Sequence, residues 1–221
     1  NPRPKVWWWK MLPNDEYYKK DLENFGDMLT PYLVEKLTGF KPIHFDPLTI
    51  GAKYITHSIM TGSMIRESTP KTIVWGSGII KKQDNIKGGI FNAVRGQMTI
   101  NRLQQLNLNP PIIVGDPAIL LPLIYNPKIT KKYKYGIIPH YVDFKEISNE
   151  IKFRDDVFIV DLLTKNVENV IDEILACEYI ISSSLHGIIV ANVYQIPAVW
   201  LKYSEKLSGD SIKFCDYFSS V

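Results

Sequence analysis

Short apolar runs alternate with stretches of helical periodicity along most of the 221 residues. Lys5-Val-Trp-Trp-Trp9 opens the series as a strand, and Leu29, Tyr32, Leu33 and Leu37, closed by Gly39, predict an amphipathic helix over 28–37. Strands are expected over 54–60, 72–75, 92–94 and 111–114, with a short helix over 99–106. The alternation sharpens in the second half. Tyr135-Gly-Ile-Ile-Pro139 and Val157-Phe-Ile-Val-Asp161 read as buried strands, Val167, Val170, Ile171, Ile174 and Leu175 as a helical stripe, and Pro197-Ala-Val-Trp-Leu201 as a closing strand. Strands alternating with helices, without two-residue hairpin turns, imply an α/β fold of parallel sheets with helices on both faces. The length suits one large domain or two small ones. Pro-Leu-Ile-Tyr-Asn-Pro and a Lys/Tyr run break the pattern between Pro122 and Lys134, which predicts an N-terminal domain over 1–122 and a C-terminal domain over 123–221.

The stretch Tyr179-Ile-Ile-Ser-Ser-Ser-Leu-His-Gly-Ile-Ile-Val-Ala-Asn-Val-Tyr194 reads as a buried strand ending at Ser182 or Ser183, followed at once by a buried helix. Its hydroxyls and His186 then lie at a strand's carboxyl end and over the first turn of a helix. Free backbone N–H groups and the helix dipole there favour phosphate or carboxylate. The same residues also fit a Ser-rich N-cap with a histidine that fills space. Asn24-Phe-Gly-Asp27 stands just ahead of the first helix, where Asn24 or Asp27 can cap it and Gly26 permits a tight turn. Trp75-Gly-Ser-Gly78 resembles a small anion nest. Arg95, at a strand end, suits a two-pronged grip on a carboxylate or phosphate, or a pairing with an acidic residue. His140 stands at another strand end, the edge at which open α/β sheets bind ligands, or serves structure there. His44 and His57 lack supporting neighbours, and Trp7, Trp8 and Trp9 read as core and interface bulk rather than a sugar-stacking platform.

Charge changes this picture little. Lys+Arg number 26 against 23 Asp+Glu, and a net charge of +3 is too small to argue for nucleic acid. Basic residues gather at Lys81-Lys82, Lys87 and from Lys128 to Lys134, which suits a solvated face, or an anionic substrate or peripheral contact with a lipid surface. Cys177 and Cys215, the only two cysteines, lie far apart without metal-ligand spacing; a reducing compartment and no disulfide framework are expected. No apolar run reaches roughly 18 residues and no leader pattern precedes the fold, so a soluble, cytoplasmic protein is expected. The chain opens at Asn1 without Met, and trimming at either terminus is compatible with that.

Six segments in order, Asn24-Phe-Gly-Asp27, Gly76-Ser-Gly78, Val94-Arg-Gly-Gln-Met-Thr99, Gly115-Asp-Pro-Ala-Ile-Leu-Leu-Pro122, Gly136-Ile-Ile-Pro-His140 and Ser182-Ser-Ser-Leu-His-Gly187, together resemble the polysaccharide pyruvyl transferase family over nearly the whole chain. The resemblance implies a GT-B-like pair of Rossmann-type domains facing across a cleft, acceptor side N-terminal and donor side C-terminal. It also implies transfer of pyruvate from phosphoenolpyruvate to two hydroxyls of a sugar, free or lipid-linked, at the inner face of the membrane. In several members Arg precedes Leu-His; here that position is Ser184, so Arg95 is expected to supply the missing cation.

Ketal formation at the enol carbon needs a proton for the methylene carbon, a base for the sugar hydroxyl and a cradle for the polyanion, with no redox cofactor or obligatory metal. His186 is the expected acid/base, with Asp27 as its catalytic companion. Its place at a helix N-terminus favours neutral imidazole in the empty site, and a bound phosphate dianion favours imidazolium. Ser182, Ser183, Ser184, Leu185 and Gly187 are expected to hold phosphate, with Arg95 on carboxylate or phosphate. Asn24, His140, Gly76 and Ser77 are expected to orient the acceptor. Two other readings stay open: a nucleotide-sugar glycosyltransferase on the same fold, and a non-catalytic glycan-binding or assembly subunit.

Overall fold

Two parallel sheets carry the fold, one in each of the two units into which the computed structural model divides; it describes residues 3–151 and 154–221. In chain order the elements are β1 (Lys5–Trp7), β2 (Glu23–Asn24), α1 (Phe25–Thr38), β3 (Ile43–His44), β4 (His57–Ile59), β5 (Thr72–Trp75), β6 (Ile90–Val94), α2 (Gln97–Gln105), β7 (Ile113–Val114) and α3 (Leu121–Ile124). There follow β8 (Tyr133–Ile138), α4 (Phe144–Glu150), β9 (Val157–Ile159), β10 (Leu163–Thr164), α5 (Val167–Leu175), β11 (Cys177–Ser182), α6 (Leu185–Val193), β12 (Ala198–Trp200) and α7 (Ile212–Phe218).

Unit 1 comprises the chain up to Trp9, Leu29–Pro117 and Ser208–Val221. Its six strands run in the order β3-β1-β4-β5-β6-β7, every neighbouring pair parallel. Ile65, Val74, Ile79, Ile86, Val94 and Leu103 form a buried cluster beside this sheet, and Ile212 of α7 packs on it. Trp7 and Trp8 are buried in small clusters with Ile59 and Met64, and with Val6 and Val34, as core bulk.

Unit 2 comprises Lys10–Met28 and Ala118–Leu207. Its four strands run β12-β11-β8-β9, again all parallel, and β10 pairs antiparallel with β2. From β8 the chain passes through α4 to β9 on one side; from β11 it passes through α6 to β12 on the other. The carboxyl ends of β8 and β11 therefore flank a topological switch point, the crevice at which open α/β sheets bind ligands. Local sequence explains the helices. Val167, Val170, Ile171 and Ile174 put α5's buried stripe at helical spacing, and the Asn166 side chain accepts the Glu168 N–H at 2.9 Å as N-cap. α6 is apolar all round, and Leu185 to Ala191 are buried without a break, as befits a helix enclosed in the core. Gly187 has no room for a side chain: a Cβ would fall on the Ser182 hydroxyl and 3.0 Å from Ile138 Cγ2.

The two units divide the chain differently from the sequence expectation. The crossing lies between Pro117 and Ala118, ahead of the 122–134 segment, and Lys10–Met28 and Ser208–Val221 each belong with the other half. Hydrogen bonding over long sequence separation accounts for both exchanges: Asn24 and Glu23 join β10, and Asp216 is held by Arg95 and Thr99. The first helix also starts earlier than its apolar stripe indicates, at Phe25, so Asp27 falls inside its first turn and Asn24 directly precedes it.

Candidate functional site

Three chain segments meet at the carboxyl end of the unit 2 sheet. β11 delivers Ser182, Ser183 and Ser184, all buried, and α6 begins immediately behind them. The Ser182 hydroxyl lies within hydrogen-bond distance of two carbonyls, Ile138 at 2.9 Å and Ser184 at 3.0 Å, and accepts the Ser184 N–H at 3.0 Å. The Ser183 N–H donates to Ile138 O at 3.1 Å, and its hydroxyl accepts the His140 N–H at 2.9 Å. Ser182 and Ser183 thus spend their polar groups joining the ends of β8 and β11 across the switch point. Ser184 has the extended backbone of an N-cap, φ −99° and ψ 135°, yet its side chain makes no capping bond. Of the three hydroxyls expected to cradle phosphate, Ser184's is the one this bonding leaves for a ligand.

His186 lies in the first turn of α6 and is buried, 9% exposed. Its ring packs directly on Gly26: a Cβ there would fall on Nδ1 and only 2.9 Å from Cγ and Cε1. The glycine of Asn24-Phe-Gly-Asp27 is therefore the seat of the imidazole. That seat is held in place twice, by β2 pairing with β10 and by the Phe25 N–H donating to Leu162 O at 2.8 Å, with the Phe25 ring fully buried. The half-buried Asn24 amide donates to Asp27 Oδ2 at 2.7 Å. The helix first turn, the glycine seat and the Asn–Asp pair belong to one unit, so Asn24, Asp27, His140 and His186 share its sheet end.

Tyr141 and Tyr17, which sequence reading missed, complete this region. Tyr141 follows His140, ring centroids 4.4 Å apart, and meets Tyr17 edge-on at 5.6 Å. Burial first, then the charges of Asp27 and Asp15 and the neighbouring Tyr17, push the Tyr141 phenol up to about 12, so it remains an O–H donor at physiological pH. Its signal was an aromatic next to a strand-end histidine. Asp143, fully buried in the same loop, accepts the Ser204 hydroxyl at 2.7 Å.

Arg95 lies in unit 1, fully buried, and each of its five N–H donors has an acceptor within the unit. Nε and Nη2 reach Asp216 Oδ2 at 3.0 Å, Nη2 donates to Ile79 O at 2.6 Å, and Nη1 meets Ser63 Oγ at 2.6 Å and Gly62 O at 3.5 Å. Asp216 also accepts the Thr99 N–H at 2.9 Å and its hydroxyl at 2.7 Å. The two-pronged grip expected for a donor is thus taken up by the chain's own carboxylate, at the start of α2. Gly76-Ser-Gly78 is likewise packed rather than open. The Ser77 hydroxyl donates to Gly62 O at 3.0 Å and accepts the Met64 N–H at 3.2 Å. Gly76, at φ +96°, lies against Pro117 and Gly115, and Gly78 against Arg95 and Asp216. Gly76 and Ser77 both belong to unit 1.

His57 and His44 also belong to unit 1 structure: His57 bonds Thr72 Oγ1 and Ile55 O, and His44 packs on Trp7 and Trp8. Among the described residues, no group of three or more His, Cys, Asp or Glu is placed to hold a metal, and no helix is long and apolar enough to cross a membrane.

The imidazole in the first turn of α6, at the switch point of a parallel α/β sheet, and the glycine it is seated on bring together the first and the last of the six ordered motifs. The polysaccharide pyruvyl transferase family model matches residues 24–205, and the chain belongs to this family. An uncharacterized protein of Acanthamoeba polyphaga mimivirus is 35% identical over 92% of this chain and 72% of its own length. The succinoglycan biosynthesis protein ExoV of Rhizobium meliloti is 24% identical over 93% of this chain, which spans 64% of ExoV. A crystal structure of an uncharacterized protein from Klebsiella pneumoniae shares the fold, with a TM-score of 0.55 at 15% identity over 98% of this chain and 87% of that one.

Proposed function

We propose that this chain transfers pyruvate from phosphoenolpyruvate to two hydroxyls of a polysaccharide sugar or its lipid-linked precursor, closing a cyclic ketal. The observation that carries the proposal is His186 at the start of α6, its ring seated on Gly26 beside the Asn24–Asp27 pair. Membership of the family and similarity to a succinoglycan biosynthesis protein support a polysaccharide acceptor. The two parallel sheets are read as the halves of a GT-B-like pair, with the unit 2 strand ends as the donor side.

His186 protonates the methylene carbon of the enol as one sugar hydroxyl adds to the adjacent carbon, and Asp27 takes that hydroxyl's proton. Expulsion of phosphate leaves an oxocarbenium that the second hydroxyl closes, its proton leaving with phosphate, and the proton on Asp27 returns to His186 through solvent before the next cycle; two hydroxyl hydrogens and one donor are consumed for one ketal and one phosphate. The first-turn N–H groups of α6 and the Ser184 hydroxyl hold the departing phosphate. With Arg95 engaged by Asp216, the donor's carboxylate also relies on backbone donors or on side chains of unit 2. No redox cofactor enters this scheme.

The test is a donor panel: purified protein with phosphoenolpyruvate or nucleotide sugars, together with p-nitrophenyl or lipid-linked glycosides, read by product mass. Sugar-dependent phosphate release and a pyruvylated glycoside are expected. Release of a nucleotide diphosphate would replace this reading with a glycosyltransferase, and no turnover of any donor with any acceptor would favour a non-catalytic subunit.

A further inference from the structure

We infer that Tyr17, Tyr141 and His140 form the acceptor subsite, where a hexopyranoside lays its C–H face on aromatic rings while Asn24 and Asp27 take its hydroxyls. This rests on the pyruvyl-transfer reading and assigns the acceptor's place within it. Three observations converge. The first is placement. Other ring pairs of unit 2, Tyr133–Phe158 at 4.8 Å and Tyr135–Tyr179 at 5.9 Å, stand on the sheet itself, whereas this trio is carried by loops at its switch-point end. Tyr17 comes from the 10–22 stretch, and His140 and Tyr141 from the turn after β8.

The second is exposure. All three rings are half-buried, unlike the fully enclosed Phe25 nearby in the chain. Aromatic rings that keep part of their surface open beside a few convergent polar groups are what small-molecule sites are lined with.

The third is charge, which decides between the two substrates. The Tyr17 N–H donates to Asp15 Oδ1 at 2.8 Å, Asp27 accepts the Asn24 amide at 2.7 Å, and both carboxylates raise the Tyr141 phenol, while Lys206, near Tyr17, is paired with Glu146 at 2.6 Å; carboxylate charge therefore prevails at the cluster. A carboxylated phosphate would be repelled there, whereas a neutral polyol is not. The polar groups also match a polyol: the Asp27 carboxylate accepts, the Tyr141 O–H donates and accepts, and the Asn24 amide does both. The His140 N–H bond to Ser183 ties the platform to the turn between β11 and α6, three residues ahead of His186, so a sugar on the rings stands beside the proposed donor site.

The experiment is saturation-transfer NMR with a panel of methyl hexopyranosides, alongside phosphorus NMR of phosphoenolpyruvate, on the wild-type chain and on Tyr17→Ala, Tyr17→Leu and Tyr17→Phe. The wild type and Tyr17→Phe should saturate the C–H protons of at least one hexopyranoside. Tyr17→Ala and Tyr17→Leu should weaken that affinity by roughly tenfold, the size of a lost ring contact, with donor binding unchanged. Tyr17→Leu keeps the apolar bulk and guards against a variant that fails to fold. Sugar affinity unaltered in both, or no hexopyranoside saturated by the wild type, would overturn the subsite. A wild type that binds hexopyranosides through Tyr17 but never phosphoenolpyruvate would leave the subsite standing and remove pyruvyl transfer instead.

Discussion

Replacing Gly26 by alanine adds one methyl group where the His186 ring lies. That methyl would sit 2.9 Å from Cγ and Cε1 and nearer still to Nδ1, whereas ordinary contact begins at 3.4 Å. The imidazole must therefore retreat by roughly 1 Å, a displacement that costs on the order of a hundredfold in rate when it affects a reacting group. Gly26 is helical and has no positive φ, so helix propensity alone would favour alanine by at most about 1 kcal/mol. Overpacking opposes that gain with a cost of about 1–3 kcal/mol. The expected outcome is a folded variant, slightly less stable, with turnover down about a hundredfold and phosphoenolpyruvate binding largely kept. A double-mutant cycle isolates the cause. In the His186→Ala background the ring is gone, so Gly26→Ala should cost nothing or stabilise in denaturant titration, giving a coupling of about 1–3 kcal/mol. Additive stability effects together with wild-type turnover in Gly26→Ala would refute the seating of His186 on this glycine.

Asp216→Asn removes one partner of a fully buried ion pair and should destabilise unit 1 by about 3–5 kcal/mol in denaturant unfolding, whereas Arg95→Lys keeps the charge, loses the fork of donors and should cost less; an Arg95→Lys of unchanged stability with weakened donor affinity would instead return Arg95 to the site. Burial lowers the pKa of His57 below its usual 6.5. The unfolded chain therefore takes up a proton that the folded chain refuses as pH falls below 6.5, so this contribution is whole above that value and is lost beneath it, by at most about 1.4 kcal/mol per pH unit. Denaturant midpoints followed downward from neutral pH should fall in the wild type and flatten in His57→Gln, and equal slopes would refute the linkage. Burial pushes the Cys177 thiol up to about 11, whereas Cys215 is exposed. A thiol reagent at neutral pH should therefore modify one cysteine quickly, Cys215, and two fast thiols would contradict the placement.

Local periodicity carried the parts of the fold that depend on neighbours in sequence. The stripe of α5, the run from β11 into α6 and the strand at Thr72–Trp75 all follow from the spacing of apolar residues. What escaped depends on partners remote in the chain. Asp216 lies 121 residues from Arg95, and nothing around Val94-Arg-Gly96 signals that the guanidinium is already engaged. β2 and β10 are two residues each, too short for any alternation to register, yet their pairing carries Lys10–Met28 into unit 2. The candidate site was legible as residue types, His186, Asn24, Asp27 and His140. The role of Gly26 as seat of the histidine required the contact itself, because a helix-start glycine also reads as a turn former. Ser182 and Ser183 looked like anion ligands because hydroxyls at a strand end suit phosphate; their bonds to Ile138 and His140 show them joining two strands.

His186→Gln tests the central claim most directly, assayed for pyruvylation of a glycoside from phosphoenolpyruvate across a pH series. Glutamine keeps a neutral hydrogen-bonding side chain of similar reach but cannot deliver a proton. Donor binding should persist, turnover should fall by about 10²–10⁴-fold, and the limb of the wild-type pH profile that belongs to imidazole ionisation should vanish where chemistry limits the rate. Normal turnover in His186→Gln with an unchanged pH profile would contradict the account and pass the acid/base role to His140 or Asp27.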